Sequence, residues 1–265
     1  MHSAVSLGAD RVAQKLAEAC RDAPVDIVRN GSRGAFWLEP MLEVEAGAQR
    51  TAYGPVQPDD IPRLLDEGML GGDSRSALCL GPVDEIPFLK KQQRLTFARQ
   101  GVVDPVSAQS YRAHGGFAGL ERALGMSAQR IVDEVRESGL RGRGGAAFPA
   151  GIKWQTVLDA PGEQKYIVCN ADEGDSGTFA DRMLMEGDPM SLVEGMIIAG
   201  LAVGATRGYI YLREEYPQAR RILQQAIAAV RDAGYLGESI CGSAHRFELE
   251  LRIGAGAYIC GEETS

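Results

Sequence analysis

The period of the apolar positions changes along the chain and divides it into three stretches. In residues 9–20 (ADRVAQKLAEAC), Val12, Leu16 and Ala19 recur on one side of a predicted helix. Short apolar runs at 25–29 and 41–45 predict strands, and 53–57 reads as a turn. Residues 58–70 predict a helix whose acidic first turn suits the positive end of its dipole. Residues 1–70 are thus a small α/β unit. Residues 71–105 show no period, hold Gly, Pro and Ser, and carry a basic run at 90–94. They read as an extended connector along the surface of the next domain, with the basic run a solvated face.

Residues 106–265 alternate helix and strand. Helices are predicted at 107–123 and 128–137, with Gly139 a natural C-terminal stop. Strand 165–169 (KYIVC), helix 189–203, strand 207–212 (RGYIYL) and helix 216–233 follow. Residues 246–253 (RFELELRI) then alternate with the period of two that a strand requires. Crossover-length connections between such strands predict a mainly parallel sheet flanked by helices. The ligand edge of such a sheet lies beyond the carboxyl ends of its strands. The predicted fold class is α/β, Rossmann-like in its second domain.

Composition narrows the function. The chain has 265 residues, 45% hydrophobic and 24% charged, an ordinary globular make-up with room for a sizeable core. A formal net charge of −8 argues against a nucleic-acid surface. The longest apolar run, 192–205, is interrupted by Glu194 and three glycines, so neither a membrane span nor direct membrane contact is expected. The N-terminus lacks the basic and apolar regions of a secretory signal, which makes the cytoplasm the expected location. Cysteines at 20, 79, 169, 241 and 260 form no Cys-x-x-Cys pair, and His2, His114 and His245 stand apart, so no metal site is expected.

Three segments carry candidate chemistry. The first, residues 138–154, holds Gly142, Gly144, Gly145 and Gly151 beside Arg141, Arg143 and Lys153. Glycines let backbone approach a ligand, and the cations suit phosphate. Residues 142–147 satisfy G-x-G-x-x-A literally, but they follow a helix rather than the strand that the dinucleotide fingerprint needs. A tight structural turn is the plain alternative. In the second segment, strand 165–169 runs into Asn170, Asp172, Glu173 and Asp175. This is a strand-end carboxylate cluster able to orient a planar ligand, or simply a polar turn; the spaced oxygens of a calcium loop are missing. In the third, strand 246–253 leads through Gly254, Gly256, Tyr258 and Gly261 to Glu262 and Glu263, again a glycine loop ending in carboxylates. No hydrolase pair or nucleophile–base arrangement is evident.

Together the strings GLRGRGGAAFPAGIKW, NADEGDSGTFADR and GAGAYICGEET resemble the flavin-bearing, NADH-oxidising subunit of respiratory complex I. Its soluble relatives are the diaphorase subunits of NAD-reducing hydrogenases and the beta subunits of NAD-linked formate dehydrogenases. The resemblance covers residues 107–265. It implies FMN held by Gly142, Arg143, Gly144, Gly145, Lys153, Asn170, Asp172, Glu173, Tyr258, Gly261 and Glu262. It also implies NADH contacts at Phe148, Asp175 and Glu263, with no catalytic group beyond the flavin. Asp175 stands where the family usually has glutamate, and Thr156 where an aromatic is common. Residues 30–40 (NGSRGAFWLEP) with 53–60 resemble half of a thioredoxin-like [2Fe–2S] ferredoxin, with Ser32 and Phe36 in place of cluster cysteines. With residues 81–105, that relic is most similar to formate dehydrogenase beta subunits. The implied partners are a ferredoxin-like small subunit and a catalytic dehydrogenase subunit. The family's 4Fe–4S site is expected beyond Ser265.

Overall fold

The computed structural model describes residues 2–47, 49–73, 75–175, 177–258 and 260, and it divides into two compact units, 1–102 and 103–265.

In the first unit, α1 (His2–Ser6) and α2 (Ala9–Ala19) precede a three-stranded antiparallel sheet. Its strands are β1 (Leu42–Ala46), β2 (Gln49–Tyr53) and β3 (Cys79–Pro82), in that order. Helices α3 (Ile61–Asp66) and α4 (Pro87–Lys90) complete it. Val12 and Leu16 of α2 pack on Tyr53, Val56, Ile61, Leu64 and Met69. The sheet departs from the expected pattern: β2 lies just before the predicted turn at 53, and 25–29, predicted as a strand, lies outside any strand. The helix predicted at 58–70 is three short pieces.

Residues 71–105 differ from the extended connector that the sequence suggests. They contribute β3 to the sheet, and polar contacts fasten their far end to the first unit. Arg33 pairs with Glu43 at 2.5 Å, both side chains buried, and also donates to the carbonyls of Gln100 and Gly101. Asn30 donates to the Gly101 carbonyl at 2.7 Å. A short Gly-Pro strand and long-range arginine contacts leave no periodic signature.

The second unit begins with α5 (Ala108–Ala113), α6 (Ala118–Leu124), α7 (Ala128–Glu137) and α8 (Ala150–Asp159). Then come β4 (Tyr166–Ala171), α9 (Ala180–Gly187), α10 (Pro189–Val203), β5 (Arg207–Leu212), α11 (Pro217–Asp232) and β6 (Glu248–Ile253). The sheet is parallel, in order β4-β5-β6. Inward residues Ile210, Leu212 and Leu249 join Val193, Ile197, Leu223 and Ile227 of α10 and α11 in one core. The alternate residues of β4, Tyr166 and Val168, are exposed. The helix predicted over 107–123 is split. Gly116 sits so close to Tyr111 that a Cβ there would lie 2.1 Å from its ring, and Phe117 turns to φ 63. Buried Glu194 of α10 restarts the chain as α6 by accepting from Phe117 N at 2.9 Å and Leu120 N at 3.0 Å. Among the described residues, no helix is long and apolar enough to cross a membrane.

Candidate functional site

Because β4, β5 and β6 are parallel and in register (Ala171 beside Leu212, Leu212 beside Ile253), their three following loops leave the same sheet edge. That edge is where a parallel sheet presents ligand groups. Asn170 donates from Nδ2 to the Cys260 carbonyl at 3.0 Å, tying the first loop to the third. Its Oδ1 accepts from Asp172 N at 3.0 Å. Tyr258, largely exposed, lies over Gly174, where any Cβ would fall 2.6 Å from the ring. The Cys260 thiol sits beside Asp172 and Tyr211. Burial first, then the Asp172 charge and its hydrogen bond, push that thiol up from its ordinary value. Burial, followed by Cys260 and Asp172, raises Tyr211 as well.

The glycine-rich segment is a hairpin-like loop. Arg141 bridges Pro149, Gly142 N donates to Phe148 O at 2.9 Å, and Ala150 N donates to Leu140 O at 2.9 Å. Residues 139–148 are all exposed. Only Gly139 and Gly145 of its glycines take positive φ, with Ala147 joining them at φ 51. At Gly144 an added Cβ would meet nothing within 4 Å. The loop's glycines therefore leave backbone bare toward open space.

The loop leads into α8, which has Lys153 in its first turn. Lys165 Nζ donates to Leu158 O at 2.9 Å, and Trp154, Leu158 and Ile167 pack against one buried cluster that includes Ile131, Val132, Ala202 and Val203. A helix N-terminus and a cation suit an anionic group.

Gly151 serves packing rather than positive φ. A Cβ there would come within 2.7 Å of the Arg136 Cα, so glycine lets α8 lie against α7. Gly151→Ala is expected to destabilise the second unit by about 1–3 kcal/mol, checked by thermal unfolding. Beside this contact a cavity of about 380 Å³ opens between α7 and α8, lined by Val135, Leu140, Pro149, Ile152, Gln155 and Thr156. Phe148, half exposed, stands next in chain to Pro149 at its rim.

Glu173 is held by its own chain. Its Oε1 accepts from Asp181 N at 2.9 Å, and Oε2 accepts from Arg182 N at 3.0 Å and Tyr216 Oη at 2.9 Å. It thereby caps the start of α9. Burial, followed by the nearby Glu173 charge, raises the Asp181 carboxyl. Burial also lifts the Cys169 thiol to about 11, with Asp181 adding to it.

The Nuo51 FMN-binding domain model matches residues 135–265. This segment belongs to the family of FMN-binding, NADH-oxidising subunits. Over 176 residues, 66% of its length, the chain is 53% identical to HndC, a subunit of the NADP-reducing hydrogenase of Solidesulfovibrio fructosivorans. It is 47% identical over 173 residues to an NADH-quinone oxidoreductase subunit of Escherichia coli K12. The matched stretches span 36% and 39% of those relatives. The fold is similar to an NAD⁺-reducing [NiFe]-hydrogenase structure (TM-score 0.50, 26% identity, covering 95% of this chain and 42% of that one). The cofactors of the family are FMN and NAD(H).

The residues present fit such a group. The loop leaves backbone bare at Gly144 and Gly145, where an added Cβ would meet nothing within 4 Å, and Asn170 and Asp172 stand at the sheet edge. Tyr258 reaches the same edge through Gly174. Asp175 is exposed, its carbonyl accepting from Thr178 N at 3.4 Å. Gly261, Glu262 and Glu263 lie outside the described residues. The loop after β5 is the part of the edge that the motifs do not reveal. Its Arg213 and Tyr216 follow β5 directly and contact Glu173. A signal for them exists in the sequence, because a third strand ending in a charged and aromatic run obeys the same edge rule.

Proposed function

We propose that this chain exchanges a hydride between NAD(H) and FMN and relays the electrons to iron–sulfur partners of a multisubunit enzyme. One observation supports this most: the three strand-end loops share one sheet edge, and two of them, tied together by the Asn170–Cys260 hydrogen bond, carry two of the three motifs. Bound FMN supplies a ring that takes two electrons as hydride and releases them singly. The protein's part is to bind and orient. Gly142, Arg143, Gly144, Gly145 and Lys153 take the flavin and its phosphate, Asn170 and Asp172 hold polar ring edges, and Tyr258 and Glu173 shape the loop between. Phe148 and Asp175, with Glu263, take the dinucleotide, and the cavity between α7 and α8, whose lining includes Pro149, one residue after Phe148, takes its adenine.

The finer reading is that the partner is an NAD-linked formate dehydrogenase in the cytoplasm. What supports it is the resemblance of residues 30–40 and 53–60, with Ser32 and Phe36 where a ferredoxin would have cysteines, together with residues 81–105. The relatives named above instead belong to a hydrogenase and a quinone reductase. Isolating the complex from its host and supplying formate, H2 or quinone separates these assignments: NAD⁺ reduction by H2 alone would reject the formate reading.

The flavin reading is tested on the full natural chain by its visible absorption and by chromatography of the flavin released on heating. FMN is expected; FAD or no flavin rejects the reading. Phe148→Ala is expected to weaken NADH binding roughly tenfold through lost stacking while FMN stays bound. Titration of flavin absorbance with NADH measures this.

A further inference from the structure

We propose that Tyr216 and Arg213 are positioning residues for the dinucleotide. They fasten Glu173 and so hold Gly174 and Asp175 on one side, and Gly177 and Phe179 on the other, of the strand-end loop. The proposal rests on the NAD(H)–FMN reading above.

The loop after β4 is anchored in two separate places. Its first part is tied to the sheet and the third loop: Asn170 donates to the Cys260 carbonyl, Asp172 N donates to Asn170 Oδ1, and Arg213 N donates to Ala171 O at 3.4 Å. None of these contacts needs the Glu173 side chain. Beyond Glu173 the chain must cross to α9 through Gly177, at φ 84, and Phe179, at φ 53, both in the left-handed region. Left-handed backbone at phenylalanine persists only where its surroundings hold it.

Two residues at the end of β5 supply that hold. The Tyr216 hydroxyl donates to Glu173 Oε2 at 2.9 Å, and the Arg213 guanidinium donates to the Glu173 carbonyl. Tyr216 is buried, and its hydroxyl is pushed up to about 12, first by burial and then by the Glu173 hydrogen bond. It therefore stays a donor throughout the working range. The clamp is itself braced. Arg213 lies 5.0 Å over the Tyr216 ring and pairs with Glu215 at 3.2 Å, while Arg182 lies 4.1 Å over the Phe179 ring. Removing the clamp releases the Asp175 side of the loop while Asn170 and Asp172 keep their own anchors. The consequence is selective: dinucleotide binding suffers and flavin binding does not.

The test uses the full natural chain with Tyr216→Phe, Arg213→Gln and Arg213→Lys. It measures FMN content, the dissociation constant for NAD⁺ by equilibrium dialysis, thermal midpoint, and NADH oxidation with a one-electron artificial acceptor. Tyr216→Phe keeps the ring and is expected to raise the NAD⁺ constant and the NADH KM about tenfold. The kcat should stay within about twofold and FMN content should not change. Arg213→Gln is expected to act in the same direction, and Arg213→Lys to restore part of the loss. If Tyr216→Phe does not fold, Arg213→Gln carries the same expectation through the Glu173 carbonyl; where both fold, the double variant Tyr216→Phe/Arg213→Gln should be no worse than the poorer single one. A lowered thermal midpoint with unchanged NAD⁺ constant and KM overturns the proposal, as does loss of FMN in step with NAD⁺. A wild-type chain that takes up neither FMN nor NAD⁺ overturns the functional reading and this proposal together. A wild-type chain that binds both, with variants identical to it, overturns the proposal alone.

Discussion

A valine at position 144 is expected to leave the second unit folded and its flavin site empty. The two halves of that expectation come from different observations. Gly144 does not take positive φ, and a Cβ built on it meets nothing within 4 Å, so the protein itself has room for a side chain there. The space belongs to whatever lies against the loop. A branched side chain projecting from exposed backbone would stand between the loop and a planar ligand, and a cofactor that needs close backbone approach loses most of its contact. Gly144→Val should therefore lower FMN content at least about tenfold, with the thermal midpoint of the FMN-free protein unchanged. The neighbouring glycines do not make the same experiment. Gly145 has φ +109, where valine would strain the backbone, and a side chain at Gly151 would strike Arg136. Flavin absorbance together with thermal unfolding of the apo form decides it. Retention of stoichiometric FMN by Gly144→Val would remove the loop from the binding site.

How far the chain can be read from its sequence depends on whether the deciding contacts are local. Helix α10 ends where its pattern predicts, because Pro189 starts it and Gly204 turns left-handed after it, and both signals lie in the helix's own flanks. Strands β5 and β6 announce themselves by apolar alternation facing one core. The break between α5 and α6 does not, since its causes are a ring against Gly116 and a carboxylate from Glu194, 77 residues from Phe117. Strand β2 (QRTAY) is hidden because its first half is polar, and its pairing with β3 is interrupted by a register shift. The site divides in the same way. Glycines and strand-end carboxylates are visible in a string of letters, so three motifs suffice to point to the flavin family. That Glu173 spends its side chain capping α9 and meeting Tyr216, 43 residues on, is not visible there. Nor is the packing role of Gly151, which exists only once α7 and α8 touch.

The largest expected loss of stability follows from Glu194. It lies on the apolar helix α10, and it is buried. Three donors converge on its carboxylate: Tyr111 Oη at 2.7 Å, Phe117 N at 2.9 Å and Leu120 N at 3.0 Å. It thus does for α6 what an N-terminal cap residue does, but from another helix, since Phe117 at the cap position has no side chain able to accept. Glu194→Ala would remove the acceptor that three buried donors share and leave a void beside them. Each such donor costs about 1–3 kcal/mol when orphaned, partly relieved by water entering the void, so a net loss of roughly 3–5 kcal/mol is expected. For a unit of this size each kcal/mol lowers the thermal midpoint by about 2–4 °C, which gives a fall on the order of 10 °C. Glu194→Gln keeps one accepting oxygen but turns an amide toward the remaining donors, so it should lose less than alanine. Thermal unfolding of the three proteins measures the order. Because Glu194 acts on α6 and not on the sheet edge, the FMN content of the folded fraction should stay at the wild-type value in both variants. Equal midpoints for wild type and Glu194→Ala would mean that α6 holds its start without this carboxylate.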